Sequence, residues 1–394
     1  MLRIAVDVSY AVCEGSTPAL RTRRRLGLGI GTSPSGILAT CRHLNYFDIL
    51  AVVSGQPVDL VFEGGGVKGI GLAGAFMELY EQGHRPACVA GTSAGAITAA
   101  LVASGYTGEE LEKLVLDDMH FPLFEDRPRF HLLGTAAGEV IEVLRNRGLH
   151  SGQYFLNWIG KLLEDRGKTT FGHFRDASAA GTNREYKLQV IASDLTDHSM
   201  LVLPRDAGKL GIAPDELSVA EAVRMSMSIP IFFDPVIQTS PRDGRRHMIV
   251  DGGMLSNYPI WLFDAEGKEP RFPTFGMLLV APNQTDPLLP CPAASAARHD
   301  DGMPSPIGYV RAIAETMMQA HDRFYVEQAN YVRTIPIPAC GVTTTQFDIT
   351  TKQTNELFQS GRTAAKKFLE TWDFDAYKKK FRQGAPPSRS TGML

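Results

Sequence analysis

The chain has 394 residues, 44% of them hydrophobic and 21% charged, enough for one large α/β domain with additions and too apolar for global disorder. Its net charge of -3 leaves no broad basic footprint, so nucleic acid is not an expected partner. The scattered cysteines Cys13, Cys41, Cys88, Cys291 and Cys340 form no CxxC pair and signal neither a zinc site nor a disulfide framework, and no apolar run reaches the ~18–20 residues of a membrane-spanning helix.

These features point to a reducing, cytoplasmic setting in which any membrane contact is peripheral. Arg3, Asp7 and Glu14 interrupt what would be a secretory apolar core. Residues 15–47 hold no Asp or Glu and carry Arg21, Arg23, Arg24 and Arg25, a transit-peptide-like composition. With no sustained periodicity, residues 1–54 are read as a poorly structured leader.

From Gln56 the character changes. Val58 to Phe62 reads as a buried strand running into Glu63-Gly64-Gly65-Gly66-Val67-Lys68-Gly69. A helix follows from Ile70 to Gln82, stopped by Gly83, then a strand from Ala87 to Gly91. Next come Gly91-Thr92-Ser93-Ala94-Gly95 and an alanine-rich helix to about Ala103. This βαβα order implies a parallel sheet.

Thr107 to Asp118 reads as a capped helix with Glu109 and Glu110 in its first turn. Met119 to Leu133 is apolar and aromatic but broken by Pro122 and Pro128. Helices are expected over 136–146, 153–165 and 218–227, the last N-capped by Ser218 with Glu221 at the capping-box position. Strands are expected over 186–192, 200–203, 246–250, 275–280 and 331–337. Residues 282–306 read as a loop, 306–328 as mostly helical, and 354–371 as a long amphipathic helix. The basic tail from Lys378 is expected to fray.

Three motifs carry chemistry. Gly-x-Ser-x-Gly between strand and helix is the context of a nucleophile elbow, with Ser93 on the turn and small Gly91, Ala94 and Gly95 around it. Alone, such a serine also suits a plain tight turn. The glycine run at 64–69 formally matches a dinucleotide fingerprint, but the next strand ends in Ala90-Gly91 without the acidic residue that reading needs. Lys68 is followed by Gly69, which excludes a P-loop. Bare glycine amides at a helix N-terminus instead suit an oxyanion. Asp251 ends an apolar strand before Gly252-Gly253, at the carboxyl edge where open α/β sheets place their sites. His247 lies four residues away on that strand, roughly 13 Å, so both side chains cannot reach Ser93.

Together the Gly-rich loop, the elbow and Asp-Gly-Gly resemble the patatin-like phospholipase family in its bacterial type. Ala192-Ser193-Asp194-Leu195, Ser226-x-Ser228-Ile229-Pro230 and Ser256-Asn257-Tyr258-Pro259 add to the likeness. The resemblance covers about residues 57 to 375, within a domain expected over 55–375, with 376–394 as tail. It implies a three-layer α/β fold, a mostly parallel central sheet with helices on both faces. It implies a serine lipid acyl hydrolase with Ser93 as nucleophile and Asp251 as general base. Gly64, Gly65, Gly66, Lys68, Gly69 and Ala94 would form the oxyanion loop, Lys68 standing where many members have Arg. No metal or cofactor is implied; the partners are an acyl-ester lipid such as a phospholipid, and a membrane surface met transiently. A thioesterase or esterase of the same fold, or a catalytically quiet lipid- or partner-binding module, are the alternatives. Met119–Leu133 could serve as a lid or lipid contact, with a core-packing connection the preferred reading.

Overall fold

Apolar runs bounded by turn residues become the strands of a central sheet. A computed structural model of the protein describes residues 55–119, 121–124, 148–264, 269–280, 316–317 and 328–382. The expected leader, the stretch from Arg127 to Leu133, the helix at 136–146, the loop at 282–306, nearly all of the helix at 306–328 and the last residues of the tail lie outside the described residues.

β1 (Gln56–Phe62) leads through the glycine loop into α1 (Ile70–Glu81), and β2 (His84–Thr92) leads through Ser93 into α2 (Ala94–Ala103). α2 buries Ala96, Ala99 and Ala100, whose small side chains let the helix lie close on the sheet. α3 (Gly108–Lys113) opens with a capping box between Thr107 and Glu110, then continues over Leu114–Asp118 as a π-helical turn instead of the expected α-helix. β3 (Gly148–His150) and α4 (Gln153–Asp165) precede β4 (Leu188–Asp194) and β5 (Ser199–Leu203). In α5 (Val219–Ser226) the Ser218 hydroxyl accepts the Glu221 N–H, the expected cap. β6 (Ile231–Phe233), β7 (Val236–Thr239), β8 (Arg246–Asp251), β9 (Thr274–Val280) and β10 (Thr334–Pro338) follow, then α6 (Thr351–Thr371) and α7 (Phe374–Phe381).

The eight-stranded sheet runs β10-β9-β1-β2-β4-β8-β7, with β5 also on β4. β10, β9, β1, β2 and β4 are parallel, while β5 and β8 are antiparallel to β4, and β7 to β8. The expected mostly parallel central sheet with packed helices is therefore present. Alternating side chains feed two apolar layers. Leu60, Phe62, Val89 and Val190 pack with α1, α2, α4, α5 and α6, while Val61, Cys88, Ala90 and Ile191 pack against Tyr258, Ile260, Leu262 and Phe263.

Several differences have physical causes. β3, β6 and β7 are too short to show a period, and β3 pairs with β6 in a separate two-stranded sheet. Tyr331 closes a helical turn over Gln328–Tyr331, so the last strand starts later than expected. Lys378 to Lys380 do not fray: they occupy the last turn of α7, where cations suit the helix dipole, and Tyr377 and Arg382 are buried. Cys340 is disulfide-bonded, where the scattered cysteines signalled no disulfide framework, while Cys88 is free and buried. Among the described residues no helix is long and apolar enough to cross a membrane.

Candidate active site

The parallel strands bring the elbow and the glycine loop to one edge. Phe62 at the end of β1 pairs with Gly91, and Thr92 pairs with Ile191 of β4. Between β2 and α2, Ser93 takes φ 53° and ψ -124°, a conformation that L-residues rarely hold and that costs ~1–3 kcal/mol. The Thr92 hydroxyl donates to the Ser256 carbonyl at 3.0 Å, bracing the turn.

The glycine loop lies against Ser93. A methyl group at Gly64 would stand 3.2 Å from Ser93 Cβ and 2.1 Å from Asn257 Oδ1, so a bare backbone is needed for this approach. Asn257 holds the loop: its carbonyl accepts the Gly64 N–H at 3.0 Å, and its Nδ2 donates to Glu63 and to the Gly64 carbonyl, each at 3.1 Å. Gly66 has φ 55°, and the Thr344 carbonyl packs on it while accepting the Val67 N–H at 3.0 Å. Gly69 rests on Ala94. The N–H groups of Gly65, Gly66 and Ala94 have no acceptor among the described residues, and the last stands at the N-terminus of α2. Lys68 is half-buried, its stem near Gly65, and forms no ion pair among the described residues. Gly91 and Gly95 pack backbone to backbone at the elbow.

Asp251 reaches this edge by a different route from the one expected. β8 is antiparallel, so its C-terminal end should point away from the carboxyl ends of β1 and β2. It enters from beyond the edge, and Asp251 pairs with Ala192, one position past the Ile191 partner of Thr92. The carboxyl is fully buried, and Oδ1 accepts the Gly253 N–H at 2.7 Å. Gly252 packs on the Ile191 carbonyl. Burial raises the Asp251 pKa to about 7, opposed by hydrogen bonding from the Ser93 hydroxyl and the Gly253 N–H. The Ser93 contact is loose, because Oδ2 is buried without a partner of ordinary hydrogen-bond geometry. Such contacts tighten when substrate fills a site.

No hydrogen bond joins Ser93 to a histidine among the described residues. His247, on β8, is buried with Nδ1 2.7 Å from Asp194 Oδ2. Asp194, Asp197 and His247 bring potential ligand atoms within 4.8 Å of one another, so they could hold a metal. Asp194 also accepts the Thr196 and Asp197 N–H groups, and Arg245 pairs with Asp197. Sequence reasoning assigned no role to Ser226, Asn257 or Thr344. The first two lie in stretches singled out for their likeness to the family; nothing in the sequence signals Thr344.

The Patatin-like phospholipase family model matches residues 60–264. The Uncharacterized protein YqhO of Bacillus subtilis is 37% identical over 317 residues, covering 80% of this chain and 99% of that protein. Among solved structures, VipD from Legionella pneumophila is similar at TM-score 0.45 and 18% identity, over 81% of this chain and 67% of its own. ExoU, in its complex with SpcU from Pseudomonas aeruginosa, is similar at TM-score 0.37 and 17% identity, over 86% of this chain and 59% of its own. With a family match across just over half of the chain and a relative of this identity along nearly its full length, the chain belongs to the patatin-like phospholipase family and is, at family level, a lipid hydrolase.

Proposed function

We propose that the chain is a serine acyl hydrolase of phospholipase A type, cleaving acyl esters of phospholipids or related lipids through Ser93 and Asp251. The observation that supports this reading best is the pairing of a strained serine with a buried carboxyl whose pKa no charged side chain perturbs. Raised to about 7, Asp251 has the basicity a general base needs near neutral pH.

In the reaction, the Asp251 carboxylate takes the Ser93 proton as Oγ attacks the ester carbonyl carbon. The negative charge moves to the carbonyl oxygen, within reach of the Gly65, Gly66 and Ala94 N–H groups. Aligned donors of this kind stabilise the tetrahedral intermediate. Collapse breaks the ester bond, and Asp251 returns the proton to the leaving alkoxide. Water then gives a proton to Asp251 as it attacks the acyl-enzyme, releasing the fatty acid and restoring Ser93. The hydrolase unit extends from residue 55 to at least Arg382, which pairs with Asp264. Substrate is taken from a membrane surface that the protein meets transiently.

The test is lipidomics of mixed phospholipids and galactolipids incubated with wild type, Ser93→Ala and Asp251→Asn, beside labelling by a fluorophosphonate. Free fatty acid and a labelled Ser93 in the wild type alone are expected. Identical lipid profiles in all three proteins would refute the reading, and turnover of acyl thioesters alone would move it to a thioesterase.

A further inference from the structure

The end of α5 and the residues just after it touch the backbone of both Ser93 and Asp251. Ser226 is fully buried, and its Oγ accepts the Ser93 N–H at 2.9 Å while donating to the Ile191 carbonyl of β4 at 2.6 Å. A hydroxyl has one proton to give, so this pair of bonds fixes its orientation. Two residues on, the Ser228 carbonyl accepts the Asp251 N–H at 3.0 Å. We propose that this segment is a clamp setting the distance between nucleophile and base, with Ser226 as the positioning residue for Ser93. The proposal rests on the Ser93–Asp251 reading above.

A serine late in a helix ordinarily turns its hydroxyl back to the carbonyl four residues earlier. Ser104 does so toward Ala100 at 2.7 Å, and Ser228 toward Arg224 at 2.8 Å. Ser226 leaves its own helix and bridges the elbow and β4. Its bond also occupies the Ser93 N–H, which therefore cannot join the oxyanion donors; those are left to Gly65, Gly66 and Ala94. Without the hydroxyl, a buried N–H at a strained turn would lose its acceptor, and the strain at Ser93 would have one restraint fewer.

Arg224 anchors the clamp from behind. Its buried guanidinium donates to the Ser228 hydroxyl, and to the carbonyls of Ser151 at 2.7 Å and Asp234 at 2.9 Å. Gly152, with φ 67°, leaves room for it, since a methyl there would come within 2.4 Å of Nε. Asp251, held by the Ser228 carbonyl, carries no Coulombic influence from any charged side chain; burial, the Ser93 hydroxyl and the Gly253 N–H are what act on it. A loosened Ser93 would therefore let burial carry the carboxyl higher.

The experiment compares Ser226→Ala, Ser226→Cys and Ser104→Ala with wild type, using a soluble short-chain ester, kcat and KM against pH, and thermal melting. Ser226→Ala should lower kcat ~10–100-fold with KM little changed, the scale of a small misplacement of reacting groups. The acid limb of its kcat profile should move to higher pH. Ser226→Cys, which keeps a weak acceptor, should fall between, and it carries the test if the alanine variant fails to fold. Ser104→Ala should lose melting temperature alone. A folded Ser226→Ala with wild-type kcat and an unmoved acid limb would overturn the proposal. A wild-type protein that neither labels nor hydrolyses would remove the dyad and the clamp together.

Discussion

Two buried carboxylates of the same sheet differ in their partners. Asp59, inside β1, is gripped by both terminal nitrogens of Arg184 at 2.5 and 2.8 Å, and it accepts the Cys88 N–H at 3.1 Å. Asp264 similarly holds Arg333 and Arg382. Asp251 has one backbone N–H, a loose serine and no cation. Burial raises Asp59 to about 6, against the pull of Arg184, and Asp251 to about 7. Asp59 is held by a guanidinium. Asp251, which on the proposed mechanism must take and return a proton, is left without a counter-charge, so its poor solvation would serve as basicity.

The comparison breaks most sharply at the site. Ser93→Ala or Asp251→Asn should cut kcat ~10⁴-fold or more, because groups acting as a unit fail together, while far-UV circular dichroism stays native. Arg184→Met should do the reverse. Stranding Asp59 should cost ~3–5 kcal/mol in urea unfolding while kcat per folded molecule stays near wild type. Loss of activity in proportion to stability would show the two regions to be coupled. Gly66→Ala should lower kcat ~10²-fold by driving a methyl into the Thr344 carbonyl and misaligning the oxyanion donors. The smallest effect has the opposite sign. Both carboxyls hold protons in the folded state that the unfolded chain releases. That contribution to stability is full below the ordinary value of 3.8 and lost as pH rises through about 7 for Asp251 and about 6 for Asp59. Asp251→Asn should therefore melt higher than wild type at pH 8, with the advantage fading toward pH 4. The acid limb of wild-type kcat/KM should fall near pH 7; a limb near 4 would show Asp251 to be solvated.

Ser93 and Asp251, the residues of the proposed dyad, stand out in sequence because each sits in a short local pattern, small residues around a serine and a glycine pair after an apolar strand. The parallel core was legible for the same reason, since β1, β2 and β9 are apolar runs between turn signals. Strand direction was not. Nothing in Arg246 to Asp251 says that β8 runs against β4, and Asp251 arrives at the edge only because its pairing starts beyond it. Nor could local pattern reveal the Ser226 bond, made to a residue 133 positions away, or the Thr344 carbonyl on the glycine loop. β7 escaped because four residues carry too little periodicity to separate strand from loop.

The order of these pieces along the chain has a consequence for synthesis. β2 and Ser93 leave the ribosome early, and β8 with Asp251 follows much later. On the mechanism proposed for Ser93, a half-made chain, or one cut before residue 251, carries the elbow serine without its proton acceptor. On that mechanism such a product would not cleave an ester: the base is supplied by a later strand, and the site is complete only when β8 has joined β4.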